Sequence, residues 1–107
     1  MKQNIKDFID TYVHEFSKKN FNVDSVILFG SQARGTATIS SDIDIAIVMN
    51  ESLTPRERGE LVCLGDEIDE KMNTNLFFTT KKALENASHV FDTNKYIRDE
   101  GIVLWQS

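Results

Sequence analysis

The 107-residue sequence has little of several features that define particular protein classes. Its single cysteine, Cys63, excludes an internal disulfide and a cysteine-based zinc cluster. It has one proline and no repeat, low-complexity stretch or linker. No apolar run is long enough to cross a bilayer, and charged residues interrupt the apolar ones near the N-terminus, unlike in a signal peptide. We therefore expect one cytoplasmic domain over residues 1–107, without a membrane segment.

Positive charge is also scarce. Twelve Lys and Arg against seventeen Asp and Glu give a net charge of -5, and the pI is near 4.9. A general nucleic-acid binder needs a basic surface to displace counterions, so this balance argues against direct nucleic-acid binding. A small anionic substrate remains compatible if a metal ion or a local cationic group offsets its charge.

The spacing of apolar residues predicts an alternation of helices and strands. Isoleucines at 43, 45 and 47, for example, alternate with Asp42, Asp44 and Ala46, which is typical of a strand. Helices are predicted over residues 2–19, 54–72, 81–87 and 93–100, with a short helical turn from residue 31; strands are predicted over 25–29, 42–48 and 75–79, and residues 102–105 form either a last strand or core packing. This order indicates an α/β (α+β) fold with a small mixed sheet packed against helices.

Two reactive side chains lie outside the predicted apolar stripes. His14 falls on the polar face of the first helix, and Cys63 falls on the charged side of the helix that begins near Pro55. We expect both to be exposed and assign no chemistry to either.

The first candidate motif follows the first predicted strand, which ends at Gly30-Ser31. Gly30 has no side chain, so a phosphate can come close to the backbone there. The Ser31 hydroxyl and the amides of the following turn can donate hydrogen bonds to phosphate oxygens. Arg34 lies on the same side of such a turn and offers a planar fork of donors.

The second motif is a pair of carboxylates on one strand. Asp42 and Asp44 share a face and lie roughly 6.6 Å apart along the strand, at about 3.3 Å per residue. They can hold Mg²⁺, which favours one or two carboxylates together with substrate phosphates. Either motif alone is most often a turn or a solvated face. Together they predict a site for a magnesium-bound nucleoside triphosphate.

Gly30-Ser31, ten residues and Asp42-Ile43-Asp44 together resemble the signature of the nucleotidyltransferases of the DNA polymerase beta superfamily. The short length and the Gly-Ser-x-x-Arg-Gly form resemble the minimal, MntA-like antitoxin group. This resemblance implies transfer of a nucleoside monophosphate, AMP from ATP, to an acceptor hydroxyl, with pyrophosphate leaving. It implies nucleotide binding by Gly30, Ser31 and Arg34, and catalytic Mg²⁺ binding by Asp42 and Asp44.

The family pattern also has a third carboxylate on the next strand, and the matching position here is Asn75. An amide oxygen ligates Mg²⁺ weakly and cannot act as a base. Because general-base catalysis contributes about 10²- to 10⁴-fold, activity is expected to be slow or absent. Asp69 and Glu70 are alternative carboxylates, but both precede the strand.

Three functions stay open at this stage. Relatives in the minimal group act with an HEPN-type helical toxin, which implies an antitoxin that transfers AMP to its partner. The lack of a separate acceptor-binding segment in these residues favours such a partner. A catalytically weak nucleotide-binding antitoxin that acts by complex formation is favoured by Asn75, and a small-molecule nucleotidyltransferase is the third alternative. The sequence leaves the acceptor, the base and any homo-oligomer open.

Overall fold

The structure is a computed structural model that describes residues 4–38, 41–69 and 73–107. Its elements are α1 (Ile5–Lys18), β1 (Val23–Phe29), α2 (Ser31–Arg34), β2 (Ile43–Met49), α3 (Pro55–Ile68), β3 (Thr74–Thr80), α4 (Lys81–Asn86), α5 (Thr93–Glu100) and β4 (Ile102–Gln106). Within these ranges, no helix combines the length and the apolar character that crossing a membrane would need. The predicted order of elements is confirmed, and residues 102–105 belong to a strand.

The four described strands form one mixed sheet in the order β3-β2-β1-β4. β1 pairs antiparallel with both β2 and β4, whereas β2 and β3 are parallel and are joined through α3. The register between β2 and β3 has no shift, while β1 shifts register against both of its neighbours. The predicted mixed sheet and α/β class are confirmed.

Helices cover both faces of this sheet. α1 and α3 pack on the face that carries the isoleucines of β2. On the other face, Ala46 and Val48 are fully buried in a second cluster with Leu84 of α4 and Ile97 of α5. The alternation of β2 therefore predicts only one of its two buried faces. Beyond Asp44 the strand has no solvated side, because α4 and α5 lie over it.

A buried hydrogen bond joins α1 and α3, which pack on the same face of the sheet. The hydroxyl of Tyr12 in α1 donates to the carbonyl oxygen of Leu61 in α3 at 2.8 Å. Both residues are fully buried, and this burial raises the pKa of the Tyr12 hydroxyl. A buried hydroxyl without a partner would be costly, so the bond favours this placement of α1 against α3.

The starts of two helices show how local side chains set their boundaries. α1 begins at Ile5, because the side chain of Asn4 accepts a hydrogen bond from the Asp7 amide at 2.8 Å. Residues 2 and 3 of the predicted helix lie outside the described residues. α3 begins at Pro55 with the predicted capping box: the Thr54 and Glu57 side chains each accept from the other's backbone amide. The bond from the Thr54 amide holds the pKa of Glu57 below its ordinary value.

Two boundaries near the candidate site also differ from the prediction. α3 ends at Ile68, not near residue 72, since the backbone of Asp69 is extended, and the Asp69 carboxylate accepts from the amide and hydroxyl of Thr74 at the start of β3. Residues 70–72, including part of the predicted helix, lie outside the described residues. β2 begins at Ile43, so Asp42 immediately precedes the strand. His14 and Cys63 are exposed, as expected.

Candidate active site

Three strand ends meet at one corner of the sheet. Because β1 runs antiparallel to β2, and β2 runs parallel to β3, the end of β1 lies beside the beginnings of the other two. Phe29 of β1 pairs with Asp44 of β2, and Asp44 in turn pairs with Asn75 of β3. Gly30, Asp44 and Asn75 are thereby brought together from distant parts of the sequence.

Gly30 occupies a position that no other residue suits. Its backbone has φ 74° and ψ -152°, a region that is essentially restricted to glycine. A Cβ atom added there would overlap with the Oδ2 atom of Asp44. The missing side chain therefore leaves room for the Asp44 carboxylate, which is a second reason for glycine besides the predicted approach of a phosphate.

The predicted helical turn after Gly30 is present as α2. The Arg34 amide donates to the Gly30 carbonyl at 3.1 Å, and the Thr36 amide donates to the Ser31 carbonyl at 3.0 Å. Gly35 closes the turn in the left-handed conformation. This turn places Ser31 at its start and Arg34 at its end, which keeps both beside the end of β1.

Arg34 makes a contact that its position in the sequence does not reveal. Its Nη1 atom lies 3.6 Å from Oε2 of Glu100, the last residue of α5, and both side chains are about half exposed. Such a pair contributes only about 0–1 kcal/mol, so the guanidinium can exchange this carboxylate for a phosphate. Sequence reasoning missed Glu100, because the contact depends on how α5 packs on the sheet.

Asn75 lies against both predicted metal-binding carboxylates. Its Nδ2 atom donates to Oδ2 of Asp42 at 3.1 Å and to Oδ1 of Asp44 at 3.4 Å. The two carboxylates therefore lie close together, although Asp42 precedes the strand. Each carboxylate repels the other, and the amide hydrogens of Asn75 offset part of that repulsion.

Among the described residues, the carboxylates that meet at Asn75 are those of Asp42 and Asp44. Asp69 accepts its hydrogen bonds from Thr74, and Glu70 lies outside the described residues. Over residues 4–38, 41–69 and 73–107, no group of three His, Cys, Asp or Glu side chains could hold a metal ion. Two carboxylates still fit Mg²⁺ when substrate phosphates complete its shell. A glycine-serine turn beside such a pair offers donors for the phosphates of a metal-bound nucleotide.

Comparison with known proteins identifies the family. Residues 12–105 match the family described as polymerase beta, nucleotidyltransferase. Because this match covers most of the chain, the protein belongs to that family of enzymes. The predicted resemblance to the superfamily and to its minimal antitoxin group is confirmed by the relatives that follow.

A protein of Methanocaldococcus jannaschii with the provisional name protein adenylyltransferase is 35% identical over 69 residues, which are 64% of this chain and 68% of that protein. A solved toxin-antitoxin structure with AMP-PNP is similar in fold, at 26% identity and a TM-score of 0.63. The match covers 97% of this chain and 75% of the chain in that structure. A complex of a tri-AMPylated Shewanella oneidensis HEPN toxin with an MNT antitoxin shares the fold, at 23% identity, a TM-score of 0.52 and coverage of 94% and 73%.

Replacing Gly30 by alanine tests the packing of the turn against Asp44. We expect Gly30→Ala to lower the free energy of unfolding by about 2 kcal/mol or more, because it combines backbone strain with the overlap at Oδ2. The measurement is chemical denaturation. Gly35→Ala is the control, since its backbone also has a positive φ but no atom lies within 4 Å of the added Cβ.

The double variant Gly30→Ala, Asp44→Ala separates the two causes. Without the Asp44 carboxylate, the alanine at position 30 no longer overlaps with it, so the double variant should regain part of the free energy of unfolding. The free-energy changes of the two single variants should therefore not add up. Additive effects would show that Asp44 does not restrict position 30.

Proposed function

We propose that this nucleotidyltransferase moves AMP from ATP to a hydroxyl of a partner protein, with Mg²⁺ as its metal. We further propose that the partner is an HEPN-type toxin and that the chain acts as its antitoxin. The observation that carries the proposal is the meeting of Asp42, Asp44 and Asn75 next to the Gly30-Ser31 turn.

The residues have separate tasks in this reaction. Asp42 and Asp44 would hold Mg²⁺, which when bound offsets the charge of the triphosphate and of the departing pyrophosphate. The amides of the turn and the Ser31 hydroxyl would donate to the phosphates. Arg34 would exchange its exposed pair with Glu100 for a phosphate oxygen.

The transfer itself is a substitution at the α-phosphorus. The acceptor oxygen forms a bond to this phosphorus while the bond from it to the oxygen bridging the β-phosphate breaks, so pyrophosphate leaves. The hydroxyl proton passes to water or to a carboxylate of the site. Asn75 cannot take this proton, but its amide can turn so that its oxygen faces the cation.

A protein acceptor is supported by the relatives and by charge. The Methanocaldococcus protein is provisionally named a protein adenylyltransferase, and the solved antitoxin complex holds a toxin that carries AMP. The net charge of -5 would favour encounter with a basic partner. The second candidate, an antitoxin that acts by binding alone, is supported by Asn75, which stands where a carboxylate would promote removal of the proton.

Nucleotide binding should depend on Mg²⁺ and on both carboxylates. We expect calorimetric titration with ATP to show binding that weakens strongly without Mg²⁺ and in Asp42→Asn and Asp44→Asn. Arg34→Ala should weaken binding by about 1.5–3 kcal/mol, the range for hydrogen bonds to charged groups. Arg56→Ala is a matched control, because Arg56 is an exposed arginine on α3. Equal affinity in all samples would contradict the metal site.

We expect Asn75→Asp to make the protein less stable without metal and more active with it. A third carboxylate would repel Asp42 and Asp44, so we expect the free energy of unfolding without metal to fall by about 1 kcal/mol. Mg²⁺ should raise the melting temperature of this variant more than that of the wild type, and pyrophosphate release should speed up. Asn75→Ala is the control that removes the amide without adding charge. A variant that Mg²⁺ stabilises no more than the wild type would refute this role for position 75.

The two modes of neutralisation differ in the mass of the partner. We expect co-expression with the adjacent gene product to yield a partner whose intact mass increases by one AMP per transfer, and Asp44→Asn to abolish the increase. A complex of unmodified partner that Asp44→Asn still neutralises would establish binding alone. No complex and no modification would leave a small-molecule acceptor as the remaining alternative.

A further inference from the structure

The outer edge of β3 lies beside the candidate active site. Among the described residues, β3 is the last strand on its side of the sheet. Its seven residues contain no charge and no proline, and its register with β2 has no shift. Natural edge strands are usually protected by lysine, proline or a bulge. The opposite edge strand, β4, has five residues and a register shift against β1.

The hydrogen bonds to β2 show which backbone groups of β3 face outward. The Ile43 amide donates to the Asn73 carbonyl, so the backbone groups of Asn73 and Asn75 face β2. Those of Thr74, Leu76 and Phe78 therefore face away from it. Asp69 already accepts from the outward amide of Thr74. The outward amides and carbonyls of Leu76 and Phe78 have no strand partner in the described part of the chain.

We propose that this edge binds an extended segment of the acceptor protein, which pairs as an additional strand and presents its hydroxyl side chain opposite Asn75. Unpaired backbone groups in an extended row are recognised by another extended backbone. The inference rests on the proposed function and specifies the substrate: a hydroxyl residue within a peptide that can adopt a β-strand.

The geometry of a sheet brings such a hydroxyl toward the carboxylates. Neighbouring strands lie about 4.8 Å apart, so the Cα atom of a residue paired with Asn75 would lie about 4.8 Å from that of Asn75 and about 9.6 Å from that of Asp44. Directly opposed side chains point to the same face of a sheet. Because Asp44 and Asn75 are paired, all three side chains share one face. The longer side chain of a tyrosine brings its hydroxyl closer to the Asp44 carboxylate than that of a serine does.

The partner segment is also expected to carry apolar side chains at alternate positions. Leu76 and Phe78 alternate with Asn75 and Phe77, and all except Asn75 are half-buried apolar residues. A strand added beside them would cover their remaining exposed surface with its own side chains. Its hydroxyl residue would lie on the face of Asn75 and Phe77, so residues one place away would point to the opposite face.

A tethered strand tests the proposal without knowledge of the natural partner. A tail of alternating threonine and valine with one tyrosine is joined after Ser107 through about twenty glycine and serine residues, whose r.m.s. span is about 25 Å. Three strand spacings, about 14 Å, separate β4 from β3. The matched control is the same tail with two prolines in its strand. The tyrosine is moved one position at a time, and each protein is analysed with Mg²⁺ and ATP.

We expect the outward amides of Leu76 and Phe78 to exchange with solvent about tenfold more slowly with the strand tail than with the proline tail. The amide of Phe77, which faces β2, should not change. The intact mass should increase by one AMP only for alternate tyrosine positions, because only these face Asp44. Here the tyrosine oxygen bonds to the α-phosphorus of ATP, pyrophosphate leaves and the proton passes to solvent.

Failure of this edge and failure of the proposed function give different results. If calorimetry shows Mg²⁺-dependent ATP binding but the Leu76 and Phe78 amides exchange equally with both tails, the edge proposal is wrong. Equal modification at all tyrosine positions, or of the proline tail, would also overturn it. If the amides are protected but no AMP is transferred, the edge binds a strand as proposed and the transfer reaction is wrong.

Discussion

The mutual repulsion of Asp42 and Asp44 is the constraint around which the site is arranged. Their carboxylates lie close enough for one amide group, that of Asn75, to donate to both. Two like charges at such a separation are tolerated only with donors or a cation between them. Gly30 leaves space for the Asp44 carboxylate, and the neighbouring turn offers further donors. The arrangement is therefore suited to bring a cation and phosphates together.

Burial of the rest of β2 keeps these charges in position. Immediately after Asp44, the four residues Ile45, Ala46, Ile47 and Val48 are all fully buried between helices on both faces. The close packing of such a strand resists displacement, so its charged start is held at a defined place. The uncovered corner of the sheet begins where helix coverage stops. The same architecture supplies a rigid core and an accessible site within one short chain.

In the proposed reaction, Asn75 would favour binding of the triphosphate over removal of the proton from the acceptor hydroxyl. With an amide in place of a carboxylate, the site carries less negative charge, which favours approach of a triphosphate before a metal is bound. In the proposed reaction, the cost would be the loss of a proton acceptor next to the incoming hydroxyl. An acceptor held close by strand pairing would offset part of that loss, because fixed orientation of the reactants itself lowers the barrier. If both proposals hold, binding of the acceptor and the identity of residue 75 are linked.

The order of helices and strands and the family could be predicted from the sequence, which also suggested the candidate site residues, because these features depend on local patterns. Apolar periodicity predicted the helices and strands, and the spacing between Gly30 and Asp44 indicated the family. Local caps were only partly predictable: Thr54 was recognised, whereas the bond from Thr74 to Asp69 that accompanies the end of α3 was not.

Which distant residues touch depends on the packing of the whole fold. Pairing of three strands placed Asn75 against Asp42 and Asp44, and the packing of α5 placed Glu100 beside Arg34. In the part of the chain that the structure describes, the sheet order leaves the edge of β3 without a strand partner beside the candidate site. A local pattern contains no information on strand order or register, because these depend on how the helices and strands pack together across the whole fold.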